Sequence, residues 1–275
     1  MVTLDLVELD GIRAPEALAD AIFAQNPSMP VPIPVEELAE LAGVSRITPL
    51  TSGDGFEGML ITNRTKSEGE IFYNARSPRQ RQRFTIGHEL GHMMLPSHRS
   101  DLFKCSQEDM SAYENRRDPA KQMEIEANRF SSELLMPKAV FGARARALKA
   151  PELAHVQALA GDFETSMEAT ARRYIALSDY ACAVVFSKDR TVRYSARSRE
   201  LPYFLDIKDG LALPRQAAAS ETGTGLGEWQ SAEPWVWLEE SKTRGFPSEV
   251  LEQTLFQDAG YKMTLLYVED VPDEE

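Results

Sequence analysis

Histidine is scarce in this chain, with four residues among 275, and cysteine is scarcer, with only Cys105 and Cys182. Two thiols so far apart in sequence argue against a disulfide framework and suit a reducing compartment. Long apolar runs are missing too: no stretch approaches the roughly 20 residues that a membrane-spanning helix needs. The opening residues, Met1 to Asp10, are acidic and lack the basic-then-apolar layout of a secretory signal, so a cytoplasmic protein with no membrane partner is expected. Basic residues are in deficit, 30 Lys and Arg against 43 Asp and Glu, for a formal net charge of −13. That balance disfavours broad binding to nucleic acid, which depends on neutralising phosphates. One local exception, Arg76, Arg79, Arg81 and Arg83, reads either as a recognition patch or as the solvated first turn of a helix.

What is present is ordinary for a globular protein: 43% hydrophobic and 27% charged residues. The length allows one large domain or two modest ones, with a core that needs no covalent staples. Against the scarcity of histidine, one stretch stands out, His88-Glu89-Leu90-Gly91-His92. On a helix this spacing sets two imidazoles one turn apart with a carboxylate beside the first, a metal site with its own general base. Ser77, Pro78 and Gln80 predict a capped helix start, and Pro96 predicts its end. Phe84, His88 and His92 then share one stripe, and Ile86, Leu90 and Met93 another. Gly87 and Gly91 form a smooth stripe, for which close approach of the sheet is the expected reason.

A second helix is predicted from Asp118-Pro119 to just before Pro137. Its core arc is Met123, Ala127, Phe130 and Leu134, and its solvent arc Gln122, Glu126, Arg129 and Glu133. A catalytic zinc takes three protein ligands and keeps a fourth position for water, so two histidines need a third partner. Glu124, flanking the core arc, is the best placed, with Asn128 one turn later able to hold a ligand in position. His98 and Glu126 are the other candidates. His98 has the ten-residue spacing from His88 of a metzincin ligand, but Leu95 stands where that motif needs glycine. Glu126 faces the solvent arc. Cys105, between the two helices, reads as a loop cysteine, with approach to a metal as an inhibitory thiolate the alternative.

Before the motif, short helices are expected at residues 14–26, with Leu18, Ile22 and Phe23 on one side, and at Val35 to Leu41. Strands are expected at 46–50, 58–62 and 70–74, forming an antiparallel piece of sheet of which an edge could hold an extended substrate. Beyond Asp179 the pattern turns to β: 181–187, 191–195, 234–238, and a hairpin of 250–257 with 261–268. Residues 217–227 are its loosest loop, and Trp235 and Trp237 share a face, for core packing or a ligand pocket. The acidic end from Glu269 reads as a solvated tail.

Three stretches, Ile71 to Asn74, Arg81 to His92 and Glu124 to Pro137, together resemble the ImmA/IrrE family of metallopeptidases over roughly residues 30–140. The resemblance implies an α+β fold with a zincin-like core, in which a small antiparallel sheet accompanies the motif helix and a ligand-bearing second helix. It implies His88, His92 and Glu124 as metal ligands, Glu89 as the catalytic carboxylate, and zinc, or another divalent ion such as Mn2+, as cofactor. Members cleave a helix-turn-helix transcriptional repressor, in stress or mobile-element responses, and many carry an N-terminal helix-turn-helix domain for which this opening is too short. Domains are therefore expected at 1–145 (peptidase), 146–179 (a helix-turn-helix-like segment that packs or docks a protein) and 180–275 (β-rich, resembling a sensor-like region). The rival is a non-hydrolytic, metal-stabilised regulator that binds a repressor or DNA; a third reading is an antitoxin-like partner with a purely structural metal.

Overall fold

The computed structural model describes residues 2–51, 55–111, 118–240 and 245–271. The fold is α+β and divides into two compact units: Met1–Lys138 with Gly161–Ser166, and Ala139–Ala160 with Met167–Glu275. The helical stretch 146–179 thus contributes to both. Among the described residues no helix is long and apolar enough to cross a membrane.

In the first unit, α1 (Leu6–Leu9), α2 (Pro15–Gln25) and α3 (Val35–Leu41) precede a sheet of β1 (Val44–Leu50), β2 (Phe56–Thr62), β3 (Gly69–Asn74) and β4 (Leu102–Ser106). The motif helix, α4 (Arg79–Met94), lies between β3 and β4 in the chain, and α5 (Pro119–Leu135) follows. The strand order is β1-β3-β2-β4. β2 is antiparallel to both its neighbours, whereas β1 joins β3 in parallel. The expected antiparallel arrangement of the first three strands is corrected to that extent. Successive strands reverse direction, so the first and third run the same way when they pair. Leu60 and Ile71 from the sheet, Ile86, Leu90 and Met93 from α4, and Phe130 and Leu134 from α5 share one core with Leu18, Ile22 and Leu38. At about 2 kcal/mol for each fully buried Leu or Ile, this core can carry the polar groups at the centre of α4.

Helix α4 ends at Met94, before Pro96, as expected, but its start differs. Pro78 is itself the N-cap and no side chain caps the helix. Ser77 therefore sits one position too early, and it donates instead to Glu57 Oε2 at 2.9 Å. The capping box of Ser77 and Gln80 is not formed. The two helix glycines meet α5, not the sheet: a Cβ at Gly87 would strike Ser131, and one at Gly91 would crowd Phe130 and the backbone of Ala127. Of the arginine run only Arg83 is drawn inward, and Arg76 and Arg79 stay exposed. Buried Arg83 donates to the carbonyl of Ile33 at 2.7 Å and lies 3.5 Å from Glu164, while Arg79 pairs with Glu36 at 2.8 Å.

In the second unit, all but the first residue of α6 (Lys138–Ala147), α7 (Leu153–Phe163) as far as Ala160, and α8 (Met167–Ala176) accompany a sheet in the order β6-β5-β10-β9-β7. These strands are β5 (Cys182–Lys188), β6 (Thr191–Arg197), β7 (Gly225–Leu226), β9 (Val250–Phe256) and β10 (Tyr261–Tyr267), and β8 (Gln230–Ala232) also pairs with β9. The expected hairpin is β9 with β10. The strand expected at 234–238 is instead a 3-10 turn at Pro234–Val236. A turn rotates each residue by about 120°, so Trp235 and Trp237 do not share a face. Trp235 is 53% exposed and Trp237 fully buried. Residues 217–227 are also tighter than expected, with Ala217, Ala218 and Ala219 buried and β7 paired to β9. Residues 272–275 of the expected acidic tail lie outside the described residues.

Candidate metal centre

Two successive turns of α4 bring His88 and His92 together, with ring centroids 4.7 Å apart and Nε2 atoms 3.0 Å apart. Both rings are buried. Helix α5, fitted against the glycine stripe of α4, delivers Glu124, whose Oε2 is 3.1 Å from His88 Nε2 and 3.4 Å from His92 Nε2. The three expected ligands thus converge. A fourth donor joins them: Cys105 Sγ lies 3.2 Å from His88 Nε2, 3.8 Å from His92 Nε2 and 3.5 Å from Glu124 Oε2. Cys105 is not a loop residue. It sits on β4, where Phe103 and Cys105 alternate inward and Leu102 and Lys104 outward. Phe103 stacks on the His92 ring at 4.2 Å.

The surrounding hydrogen bonds assign the ring protons. Asn128 Nδ2 donates to the Asp109 carbonyl at 2.8 Å, which turns its Oδ1 toward His88 Nδ1, also at 2.8 Å. His88 Nδ1 is then the donor, and a neutral ring leaves a lone pair on Nε2. His98 Nε2 lies 3.2 Å from the acceptor Glu126 Oε2, and His98 Nδ1 lies 2.9 Å from His92 Nδ1. That chain places a proton on His92 Nδ1 and a lone pair on its Nε2 as well. Burial pushes His92 down to about 3 and His98 down to about 4, so both are neutral near pH 7. Two lone pairs and a carboxylate oxygen, mutually 3.0–3.4 Å apart with no proton between them, repel unless a cation joins them. Donors around a tetrahedral zinc are about 3.3–3.7 Å apart, given bonds of about 2.0–2.3 Å. The observed separations, 3.0 to 3.8 Å, fit that spacing. His88, His92, Cys105 and Glu124 could therefore hold a metal ion.

Glu89 points elsewhere than the donors but stays beside them. It is fully buried, and neither carboxylate oxygen has a hydrogen-bond partner among the described residues. Burial pushes its carboxyl well above the usual range, the neighbouring Cys105 thiol offsets part of that rise, and the charge of Glu124 adds to it. The space for it comes from the sheet: a Cβ at Gly58 of β2 would strike the Glu89 carboxylate and the methyl of Thr85. At the end of α4, Lys66 donates to the carbonyls of His92 at 2.6 Å and Leu95 at 2.9 Å, compensating the helix C-terminus.

Residues 54–174 match the IrrE N-terminal-like domain family, Peptidase_M78. This segment is similar to that domain. A solved Mycobacterium tuberculosis transcriptional regulator shares the fold, with a TM-score of 0.56 and 12% identity over 96% of this chain and 79% of its own. No curated protein matches the chain by sequence. Within the IrrE-like domain, the candidates not drawn into the donor cluster have visible duties. His98 stands behind His92, and Glu126, expected at the surface, holds His98 while also accepting from Ser97 at 3.1 Å. Of the two readings of Cys105, a loop cysteine and a thiolate near the metal, the structure places its sulfur in the cluster, and the sequence signal for that is the period-two alternation of Leu102, Phe103, Lys104 and Cys105.

Proposed function

We propose that this protein is a zinc-dependent endopeptidase that acts in the cytoplasm on a helix-turn-helix transcriptional repressor and so relieves repression. The observation that carries the reading is Glu89, a buried carboxylate with no hydrogen-bond partner among the described residues, held beside a cluster of inward-facing lone pairs. An orphaned buried carboxylate costs stability, on the order of 1–3 kcal/mol, and active sites are where such costs persist. The domain's peptidase family supports the chemistry, and the solved regulator of the same fold supports a place in transcriptional control.

His88, His92 and Glu124 would hold the ion. When bound, zinc supplies a Lewis acid that polarises a water and the scissile carbonyl. Asn128 and His98 fix the two imidazoles in the tautomers that leave Nε2 free. Glu89 takes the proton of the attacking water and passes it to the leaving amine, and its raised proton affinity suits that task. β4, paired only with β2 among the described residues, offers an edge along which an extended segment of substrate can lie.

The test is co-incubation with the helix-turn-helix regulator encoded nearby, with mass spectrometry of the fragments and metal analysis of the enzyme. Cleavage by the wild type and none by Glu89→Gln at unchanged metal content is the expected result. Equal turnover by the two proteins removes Glu89 from the mechanism. The four-donor cluster favours one second reading, a metal-stabilised regulator that binds without hydrolysis. Tight association of wild type and Glu89→Gln alike, with the repressor intact in both, selects it.

A further inference from the structure

We propose that Cys105 is a displaceable fourth ligand that keeps the metal coordinatively closed, so that the site is latent until β4 moves the thiolate away. The proposal rests on the metal reading given above. Its first ground is the arrangement of donors. Cys105 Sγ is 3.2, 3.5 and 3.8 Å from the other three, which themselves stand 3.0–3.4 Å apart, so sulfur completes a four-cornered set. Catalytic zinc sites keep one corner for water or substrate, whereas structural sites fill all four with protein. On binding, the thiol gives its proton to solvent and sulfur bonds to the ion. Displacement reverses this, and no oxidant is involved.

The second ground is independent of the sulfur. A purely structural site has no use for Glu89, yet its carboxylate is fully buried and has no hydrogen-bond partner among the described residues. Gly58 leaves that carboxylate its place. The same site therefore combines the full coordination of a structural metal with the unspent base of a catalytic one. A ligand that leaves reconciles the two. Cys105 is also on the element best able to leave. β4 is five residues long and lies at the sheet edge, whereas His88, His92 and Glu124 stand on the two long helices packed at the core. Edge segments with one neighbour open locally at lower cost than core helices.

The test uses full-length protein loaded with Co(II), with Cys105→Ala and Cys105→Ser compared by circular dichroism to confirm folding. Wild type should show a near-ultraviolet sulfur-to-cobalt charge-transfer band. Both variants should lose it while keeping visible bands of cobalt bound by the remaining donors. Acetohydroxamate, a small chelating anion, should then perturb the visible spectrum of the variants at a concentration at least about tenfold lower than in wild type, the change given by about 1.4 kcal/mol. Bound cobalt with no charge-transfer band in wild type overturns the proposal and leaves the peptidase reading standing. Equal acetohydroxamate sensitivity also overturns it, since the sulfur then closes nothing. Failure of wild type to bind cobalt at all sinks the metal reading itself, and this inference with it.

Discussion

Two of the most deeply buried glutamates, one in each unit, share a chemical problem and answer it differently. Glu89 on α4 and Glu252 on β9 are both shielded from solvent, and burial raises the proton affinity of both. Glu252 accepts from the backbone of Ala218 at 3.0 Å and from Trp237 Nε1 at 3.1 Å, one bond to each oxygen. Neither oxygen of Glu89 has a hydrogen-bond partner of ordinary geometry among the described residues, and only the neighbouring Cys105 thiol eases its burial in part. A satisfied buried carboxylate joins elements together, here a 3-10 turn and an indole onto a central strand. An unsatisfied one is a cost that local structure alone does not repay, and the proposed role of Glu89 as general base would account for it.

Glu89→Gln breaks or sharpens this contrast most sharply. Loss of a general base is expected to lower cleavage by about 10²–10⁴-fold, with metal content unchanged. Glu252→Gln should leave cleavage as it was. Equal losses from the two substitutions would erase the distinction between them.

Metal removal comes next. An ion present at about a thousand times its dissociation constant stabilises the folded state by about 4 kcal/mol. The three tryptophans, Trp229, Trp235 and Trp237, all lie in the second unit. A chelator should therefore lower the unfolding midpoint followed by far-ultraviolet circular dichroism more than the one followed by tryptophan fluorescence. Equal shifts would mean that the donor cluster does not act locally in the first unit.

Smaller effects belong to the residues behind the imidazoles. Asn128→Ala and His98→Ala each free a ring to adopt the other tautomer, and metal affinity should fall by about 10–100-fold. Competition with a fluorescent zinc chelator measures it. Glu133→Ala, on the outer arc of α5, is the control, and a comparable loss there would show that the effect is one of helix stability.

The legible part of the first unit is the part with helical period. His88, Glu89, His92 and Glu124 could be read because residues on regular helices have known directions, and the proline stops at Pro96 and Pro137 bounded them. The strands could be placed but not ordered, since nothing local decides that β1 passes over β2 to reach β3. The strand that carries Cys105 is not legible because β4 is short and its alternation spans only two inward residues, which leaves the thiolate reading as no more than an alternative. Spacing from His88 makes His98 a candidate ligand, yet its position follows from a turn after Leu95 that folds it back against His92. In the second unit, Trp235 and Trp237 show the same limit. Alternation predicts a strand, and Pro234 with the bond from Leu238 N to its carbonyl at 2.9 Å makes a turn instead.

The smallest predicted effect concerns Glu252 and gives the comparison a thermodynamic edge. Burial, reinforced by the charge of Glu221, raises its carboxyl above the ordinary carboxylate range, while Ala218 and Trp237 oppose the rise. The folded state therefore binds more protons than the unfolded chain between that range and the raised value. Its contribution to stability is present in full below the ordinary range and declines as pH rises through the raised value. Glutamine has no such proton and can accept with only one atom, so one of the two donors loses its partner, at a cost on the order of 1 kcal/mol. Urea unfolding followed by tryptophan fluorescence at pH 5 and pH 8 should show the advantage of wild type over Glu252→Gln shrinking at the higher pH. An advantage that grows with pH would mean that the two hydrogen bonds outweigh burial, and that Glu252 is held as the charged form.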